Sequence, residues 1–205
     1  MANAYPISLK IEGLIGAAET AYGTDIVPTT AMGIRGGARI WGALAPEWAF
    51  PNMREDTMSG SLIQPAPGLP KGRIVNLNYT VQLQGSGAAY KSTATIVRPE
   101  CDPLMVACGL SRTHVDTGAA EKVTYALADV GHGSASLYVY AGGKEFKIIG
   151  VRGSATWSPT AGGLGQIEFA LQGMLSAVAE ADLPTITYSA VLPPPAVNMA
   201  LAIVP

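Results

Sequence analysis

The sequence is poor in charge. Only 14% of its 205 residues are Asp, Glu, Lys or Arg, against about a quarter in an ordinary soluble domain. The net charge is −2, so the chain lacks the basic excess by which proteins hold nucleic acid. Low charge favours a surface that is largely covered by other subunits; the alternative is an uncharged monomer.

Long apolar runs are also missing. No stretch reaches the roughly 20 apolar residues that a membrane-spanning helix needs, so we expect no membrane insertion by this chain. The first ten residues, MANAYPISLK, do not combine a basic region with an apolar run. We therefore expect no secretory signal.

Cysteine and histidine occur only twice each. Cys101 and Cys108 lie seven positions apart on a predicted helix, a rise of about 10 Å that is too long for a disulfide. Both are expected to be buried thiols of a protein made in a reducing cytoplasm. His114 and His132 are not spaced like metal ligands from each other or from the cysteines, so neither a metal nor a cofactor is expected.

Other chemistry-bearing residues fit no catalytic pattern. His132 and Ser134 are close in sequence but lack a nucleophile elbow. Glu55 with Asp56, and Glu19 with Asp25, are interpreted as solvated loop charges. The glycine clusters near 85 and 163 are interpreted as turns, because no lysine-bearing phosphate loop follows them. We expect no enzymatic activity.

Glycine and proline, by contrast, are plentiful. The chain has 24 Gly and 15 Pro, which separate many short segments and favour a mainly β, antiparallel fold. The clearest strand is Arg73–Gln84, in which apolar residues at odd positions alternate with Asn, Thr and Gln at even positions. Such alternation gives a strand one apolar and one polar side, and this polar side carries no charge.

A second amphipathic hairpin is predicted further on. Its strands are Lys144–Ser158 and Gly165–Leu175, again with a small and mostly neutral polar side. The first hairpin is expected to join Met53–Ile63 to Arg73–Gln84 through a projecting loop at 64–72. The remaining strands are predicted at 11–22 (entering a loop at Tyr22), 38–45, 91–98, 122–127, 136–141 and 185–191.

One helix is predicted at about 102–109. Asp102 suits its N-cap, Pro103 its first turn and Gly109 its end. Residues 1–10 are interpreted as an N-terminal arm, 11–191 as one β domain and 192–205 as a C-terminal arm. The proline run that opens the last segment stops regular pairing.

Several segments, in order, resemble the tail tube proteins of long-tailed, non-contractile bacteriophages. They are Ala18–Asp25 with Pro28-Thr29, Arg98–Leu104 with Ala107–Leu110, Leu137–Tyr140, Gly150–Ser154 and Leu171–Gly173. The resemblance spans about residues 10–190. It implies an antiparallel β-sandwich with one short flanking α-helix, found in the virion tail and assembled in the cytoplasm of a host bacterium.

The resemblance also implies the partners. Subunits of such proteins form hexameric rings, and the rings stack into a tube through which phage DNA leaves the capsid. A tape measure protein and the DNA would occupy the lumen in turn, and tail terminator and tail tip proteins would contact the ends. In a ring, the subunits would pool their sheets into one large β-barrel with a wet lumen, which needs strands of the Arg73–Gln84 kind.

These expectations assign roles to particular residues. The lumen candidates are Asn76, Asn78, Thr80, Gln82, Gln84, Ser154, Thr156, Gln166 and Gln172. The expected core residues are Val75, Leu77, Val81, Ile149, Val151, Phe169 and Leu171. The candidates for contacts between rings lie in the loop and the two arms: Pro65, Pro67, Leu69, Pro70, Tyr5, Ile7, Val197, Met199, Leu201 and Ile203.

Two other kinds of protein fit the same pattern. Another virion β-sandwich, such as a tail terminator, neck or capsid decoration protein, would share the fold, and so would a secreted bacterial tube. A carbohydrate-binding or hydrolytic β-sandwich would need an aromatic platform or paired acids. Aromatic residues make up only 7% of this chain.

Overall fold

The computed structural model describes residues 11–36, 47–49, 52–53, 69–70, 73–86, 98–115, 122–157 and 162–193. These ranges contain ten strands and one helix. In chain order they are β1 (Ile11–Ala18), β2 (Glu47–Ala49), β3 (Asn52–Met53), β4 (Leu69–Pro70), β5 (Ile74–Gln82), α1 (Asp102–Ala107), β6 (Leu110–Val115), β7 (Lys122–Leu127), β8 (Ala135–Ala141), β9 (Lys144–Trp157) and β10 (Gln166–Glu180). The mainly β, antiparallel prediction is confirmed, and the arrangement is consistent with a β-sandwich.

One six-stranded sheet dominates the described residues. Its strand order is β1-β8-β9-β10-β5-β2, and the pairs β3-β4 and β6-β7 form two small sheets of their own. Single bridges join Ile15 to Gly33 and Val81 to Gly36. Segment 33–36 therefore links β1 to β5, and the large sheet curves around its core.

The core lies on the inner side of this sheet. β5 alternates as its sequence predicts, with Val75, Leu77 and Val81 almost fully buried, and β10 does the same with Phe169 and Leu171. Burying a side chain of this size stabilises the fold by about 1.5–3 kcal/mol. These core predictions are confirmed, and helix α1 packs against the same cluster.

A bulge in β9 makes one core prediction wrong. Ile148 and Val151 are both buried, whereas Ile149 is only half-buried. The registers with β8 and with β10 both shift here, so β9 carries an extra residue and the alternation of its side chains reverses. Gly150 provides the conformation that the bulge needs, with φ of +61°.

Helix α1 begins at Asp102, as predicted, and ends two residues earlier than predicted, at Ala107. Pro103 lies in its first turn, and Gly109, with φ of +82°, follows its end. Asp102 is not the cap that the sequence predicts, because the carboxylate points to the next hairpin. Its oxygens accept hydrogen bonds from Arg112 Nη1 (2.5 Å) and from the Tyr125 hydroxyl (2.7 Å).

The hairpin held by Asp102 is partly unexpected. β7 has the predicted bounds, whereas its partner β6 was not predicted as a strand. α1, the helix of the described ranges, has six residues, and the described part of the chain contains no helix long and apolar enough to cross a membrane.

The predicted last strand, Thr185–Val191, is wrong. This segment forms no strand, although it packs closely. The Ile186 side chain fills space left by two glycines: a Cβ at Gly13 or Gly33 would lie only 2.6 or 2.3 Å from it. The Thr187 amide donates to the Thr30 carbonyl at 2.9 Å. Segment 185–191 is therefore held by the packing of Ile186 against Gly13 and Gly33, and the predicted strand pairing does not form.

The first predicted hairpin also differs. Within the described residues β5 pairs with β10 and β2, and Met53 pairs with Leu69. The rest of the predicted strand Met53–Ile63 lies outside the described residues. So do the predicted strand 38–45, nearly all of the strand 91–98, the arm 1–10 and the arm 192–205 beyond Pro193.

Substituting Gly150 should weaken the fold at the bulge. Gly150→Ala places a Cβ on a left-handed residue and within 3.3 Å of the Tyr22 ring, so we expect the free energy of unfolding to fall by about 1–2 kcal/mol. Urea denaturation measures this. Gly85→Ala is the control, because its Cβ would meet nothing within 4 Å. Equal stability of the two variants would contradict the role assigned to Gly150.

Candidate functional site

The outer sides of β9, β10 and β5 form one continuous surface, called here the polar face. The ladders align Arg152 with Gln172 and Asn76 in one row, and Thr156 with Glu168 and Thr80 in another. Eight of the nine lumen candidates thus share this side of the sheet. The polar face comprises Asn76, Asn78, Thr80, Gln82, Arg152, Ser154, Thr156, Gln166, Glu168, Ala170 and Gln172.

Neutral groups dominate the polar face. Arg152 and Glu168 are the two charged members, and they are of opposite sign. Asn78, Ser154 and Gln172 are exposed, while Asn76 is half-buried beside them. The Gln172 side-chain amide donates to Asn76 Oδ1 at 3.0 Å, which ties β10 to β5 across the surface.

A shallow depression of about 550 Å³ lies at the middle of the polar face. Its lining comprises Asn76, Asn78, Arg152, Gly153, Ala170, Leu171 and Gln172. A Cβ at Gly153 would lie 2.1 Å from the Ala170 carbonyl oxygen, so only glycine allows the two backbones to approach so closely. The depression has one cation, three amides and no carboxylate.

The ninth lumen candidate, Gln84, is misplaced. It is 6% exposed, and its Oε1 is buried with no hydrogen-bond partner among the residues that the structure describes. β5 ends at Gln82, after which the Leu83 amide donates to the Gly165 carbonyl at 2.8 Å. Alternation holds only within a strand, so extending it two residues past the strand end gave the wrong side.

Arg152 is fixed in place by three neighbours. Its Nε donates to the Gly133 carbonyl at 3.2 Å, and its Nη2 donates to the His132 carbonyl at 3.0 Å. The guanidinium also stacks on Tyr22, with its carbon 4.4 Å from the ring centre. Its position on the polar side of β9 follows from the alternation of that strand, whereas its partners come from other segments of the chain.

Glu19 holds the loop that carries Tyr22. Its carboxylate accepts hydrogen bonds from the Gly23 and Gly150 amides, both at 2.8 Å, and from the hydroxyls of Ser134 (2.6 Å) and Ser136 (2.8 Å). It is therefore not the solvated loop charge that the sequence suggested. The donors lie more than 100 positions away, apart from Gly23, and no local pattern could reveal them.

These contacts change the acidity of Glu19. Burial raises its pKa, but the hydrogen bonds from Ser134, Gly150, Ser136 and Gly23 together outweigh burial and hold the pKa below its ordinary value. The charged form is therefore the one that the fold stabilises. The contribution is present above the ordinary glutamate pKa and is lost as the pH falls through the lowered value.

The candidates for contacts between rings are mostly untested by the structure. Leu69 and Pro70 form β4 and pair with β3. The others (Pro65, Pro67, Tyr5, Ile7, Val197, Met199, Leu201 and Ile203) lie outside the described residues.

The described residues contain no group of three or more His, Cys, Asp or Glu side chains that could hold a metal ion. Cys101 is buried and Cys108 half-buried, and both are free thiols. Burial raises the pKa of each to about 11, so neither is a reactive thiolate at neutral pH.

Comparisons with known proteins give no match: no family model, no curated protein sequence and no solved structure shows significant similarity to the chain.

Removing the charge of Glu19 should destabilise the protein in a pH-dependent way. Glu19→Gln loses an anionic acceptor shared by four donors, so we expect the free energy of unfolding at neutral pH to fall by about 2 kcal/mol. The difference from the natural protein should shrink as the pH falls from the ordinary glutamate pKa through the lowered value, because Glu19 itself then becomes protonated. Urea denaturation across pH 3–7 measures both effects. Glu168→Gln, on the exposed polar face, is the control, and a difference that does not depend on pH would contradict this role.

Proposed function

We propose that the protein is a structural subunit of a bacteriophage tail tube, in which hexameric rings stack into a conduit for DNA. The observation that carries this proposal is the polar face: eight of its residues were selected from sequence as lumen candidates, and they lie together on three adjacent strands. A conduit wall needs a continuous wet surface, and scattered polar residues would not provide one.

The unpaired edges of the same strands support assembly. Within the described residues, β9 continues from Arg152 to Trp157 beyond its last pair with β8. β10 continues from Ser176 to Glu180 beyond Leu175, whose amide still donates to the Arg73 carbonyl. Unpaired strand edges attract further strands. Trp157 is 48% exposed next to one of these edges, as an interface residue would be in the free subunit.

The electrostatics suit a polyanionic cargo. A basic wall would bind phosphates and slow the passage of DNA, since each neutralised phosphate adds salt-dependent affinity. Amides and hydroxyls keep a wall hydrated without a net charge. In this proposal the tape measure protein and the DNA occupy the lumen, and terminator and tip proteins close the tube at its ends.

Negative-stain microscopy of the purified protein tests assembly directly. Open-ended tubes of stacked rings are expected. Single rings that do not stack would favour a terminator or neck protein, and a monomer that binds glycans would favour a carbohydrate-binding domain. Either result would contradict the tube.

Adding positive charge to the polar face should trap DNA without preventing assembly. In Asn78→Lys/Gln82→Lys both new ammonium groups would face the lumen, so we expect tubes of normal appearance that retain DNA on sedimentation and release it in high salt. Thr124→Lys/Ala126→Lys adds the same two charges at exposed positions of β7, which belongs to a different sheet, and is the matched control. Equal DNA retention by both variants would argue against a lumen-facing role.

A further inference from the structure

Two of the five N–H donors of the Arg152 guanidinium are occupied by the protein itself. A guanidinium has five N–H donors and binds phosphate best through two parallel donors along one edge. In Arg152 the edge formed by Nε and Nη2 already donates to two backbone carbonyls. The Tyr22 ring covers one side of its plane. The cation of the polar face thus has one of its two donor edges and one side of its plane occupied by the protein.

Tyr22 owes its position to Glu19. The loop leaves β1 at Ala18 and is held by the Glu19 carboxylate, which bonds to Gly23 on one side of Tyr22 and to Gly150 in the bulge of β9. Tyr22 is 66% exposed, so little apolar burial keeps the ring there. The carboxylate also places a negative charge on the bulge, two residues from Arg152.

The other cations near the outer side of the sheet show the same pattern. Lys147 stacks on Tyr138 at 4.7 Å and pairs with Glu145 at 3.3 Å. Arg35 stacks on Tyr188 at 5.4 Å, and its Nη2 donates to the Ser189 carbonyl at 2.8 Å. Each of the three cations has a tyrosine on one side and an acceptor bonded to it. A tyrosine that covers a cation is therefore a repeated feature of the outer side of the sheet.

We propose that Tyr22, positioned by Glu19, masks Arg152 so that the polar face does not bind the phosphates of DNA. Tyr22 and Glu19 are positioning residues in this mechanism and do not contact the cargo. The inference rests on the proposed function, because masking matters only where a polyanion passes. Masking differs from the mere absence of charge. The polar face contains a cation, and this cation donates hydrogen bonds to the backbone carbonyls of His132 and Gly133.

Binding of a fluorescent double-stranded DNA oligonucleotide to the unassembled subunit tests the masking. With the ring gone, we expect the Arg152 guanidinium in Tyr22→Ala to turn away from the two carbonyls and make one phosphate contact. One contact changes affinity by about 3.5-fold between roughly 50 and 200 mM salt. The affinity of Tyr22→Ala should therefore fall about 3.5-fold more than that of the natural protein over this range. Fluorescence anisotropy at several salt concentrations measures the slope.

Two variants separate masking from a general structural effect. Tyr22→Phe keeps the ring over the guanidinium and should bind DNA as the natural protein does. The double variant Tyr22→Ala/Arg152→Gln lacks the released cation and should return to the natural slope, whereas a loosened loop alone would affect it as much as Tyr22→Ala. Because Tyr22 is exposed, its truncation should leave the subunit folded, and circular dichroism checks this.

The experiments can reject the masking of Arg152 and the proposed tail-tube function independently of each other. Equal salt dependence for the natural protein and Tyr22→Ala would overturn the masking, as would tight binding by the double variant. Absence of tubes from the natural protein would contradict the proposed function. Tubes formed by both the natural protein and Tyr22→Ala, with no gain in DNA binding, would leave the tube in place and reject the masking.

Discussion

The bulge of β9 at Gly150 is the constraint on which the polar face depends. Before it, Ile148 points to the core; after it, Val151 does, and Arg152 points outward. Without the extra residue, a strand of this length would send Ser154 and Thr156 to the apolar side. One left-handed glycine therefore decides whether β9 contributes polar or apolar side chains to the surface that it shares with β10 and β5.

Some of the few charged residues of the sequence form hydrogen bonds within the protein. Several carboxylates join distant parts of the chain by accepting hydrogen bonds. Glu19 joins the loop after β1 to β8 and β9, Asp102 joins α1 to the hairpin β6-β7, and Glu100 accepts hydrogen bonds from the amides of Arg35 and Ser189. Carboxylates that form these hydrogen bonds do not contribute charge to the polar face. The low charge content of the chain thus accounts for both observations: the outer face is nearly neutral, and the carboxylates form charge-assisted hydrogen bonds between segments.

Local patterns predicted the elements whose environment is uniform along their length. β5 and residues 166–173 of β10 alternate cleanly because one side meets the core along this length, and Pro103 and Gly109 mark α1 because their backbone conformations are intrinsic. The failures have non-local causes. Ile149 lies in a bulge, and Gln84 lies past a strand end.

The polar face was therefore easier to predict than the contacts that hold it. Alternation alone grouped Asn78, Ser154 and Gln172, since it depends on each strand separately. The partners of Glu19 and Arg152 come from loops brought together only by the fold. Such partners leave no periodic signal, because a hydrogen bond to a backbone amide or carbonyl places no demand on the side chain of the residue that provides it.

The staggered edges of the sheet give the proposed assembly its physical reason. Within the described residues, the unpaired edges of β9 and β10 lie at opposite ends of one hairpin and on opposite sides of it. A subunit with two such edges can extend its sheet in both directions, whereas a subunit with one edge can only form a pair. In a closed ring every copy would use both edges, and the polar faces of all copies would join into one surface. Neutrality would then matter more than in a single subunit, because an unmasked cation would be repeated in every copy and the contacts with a polyanion would add together.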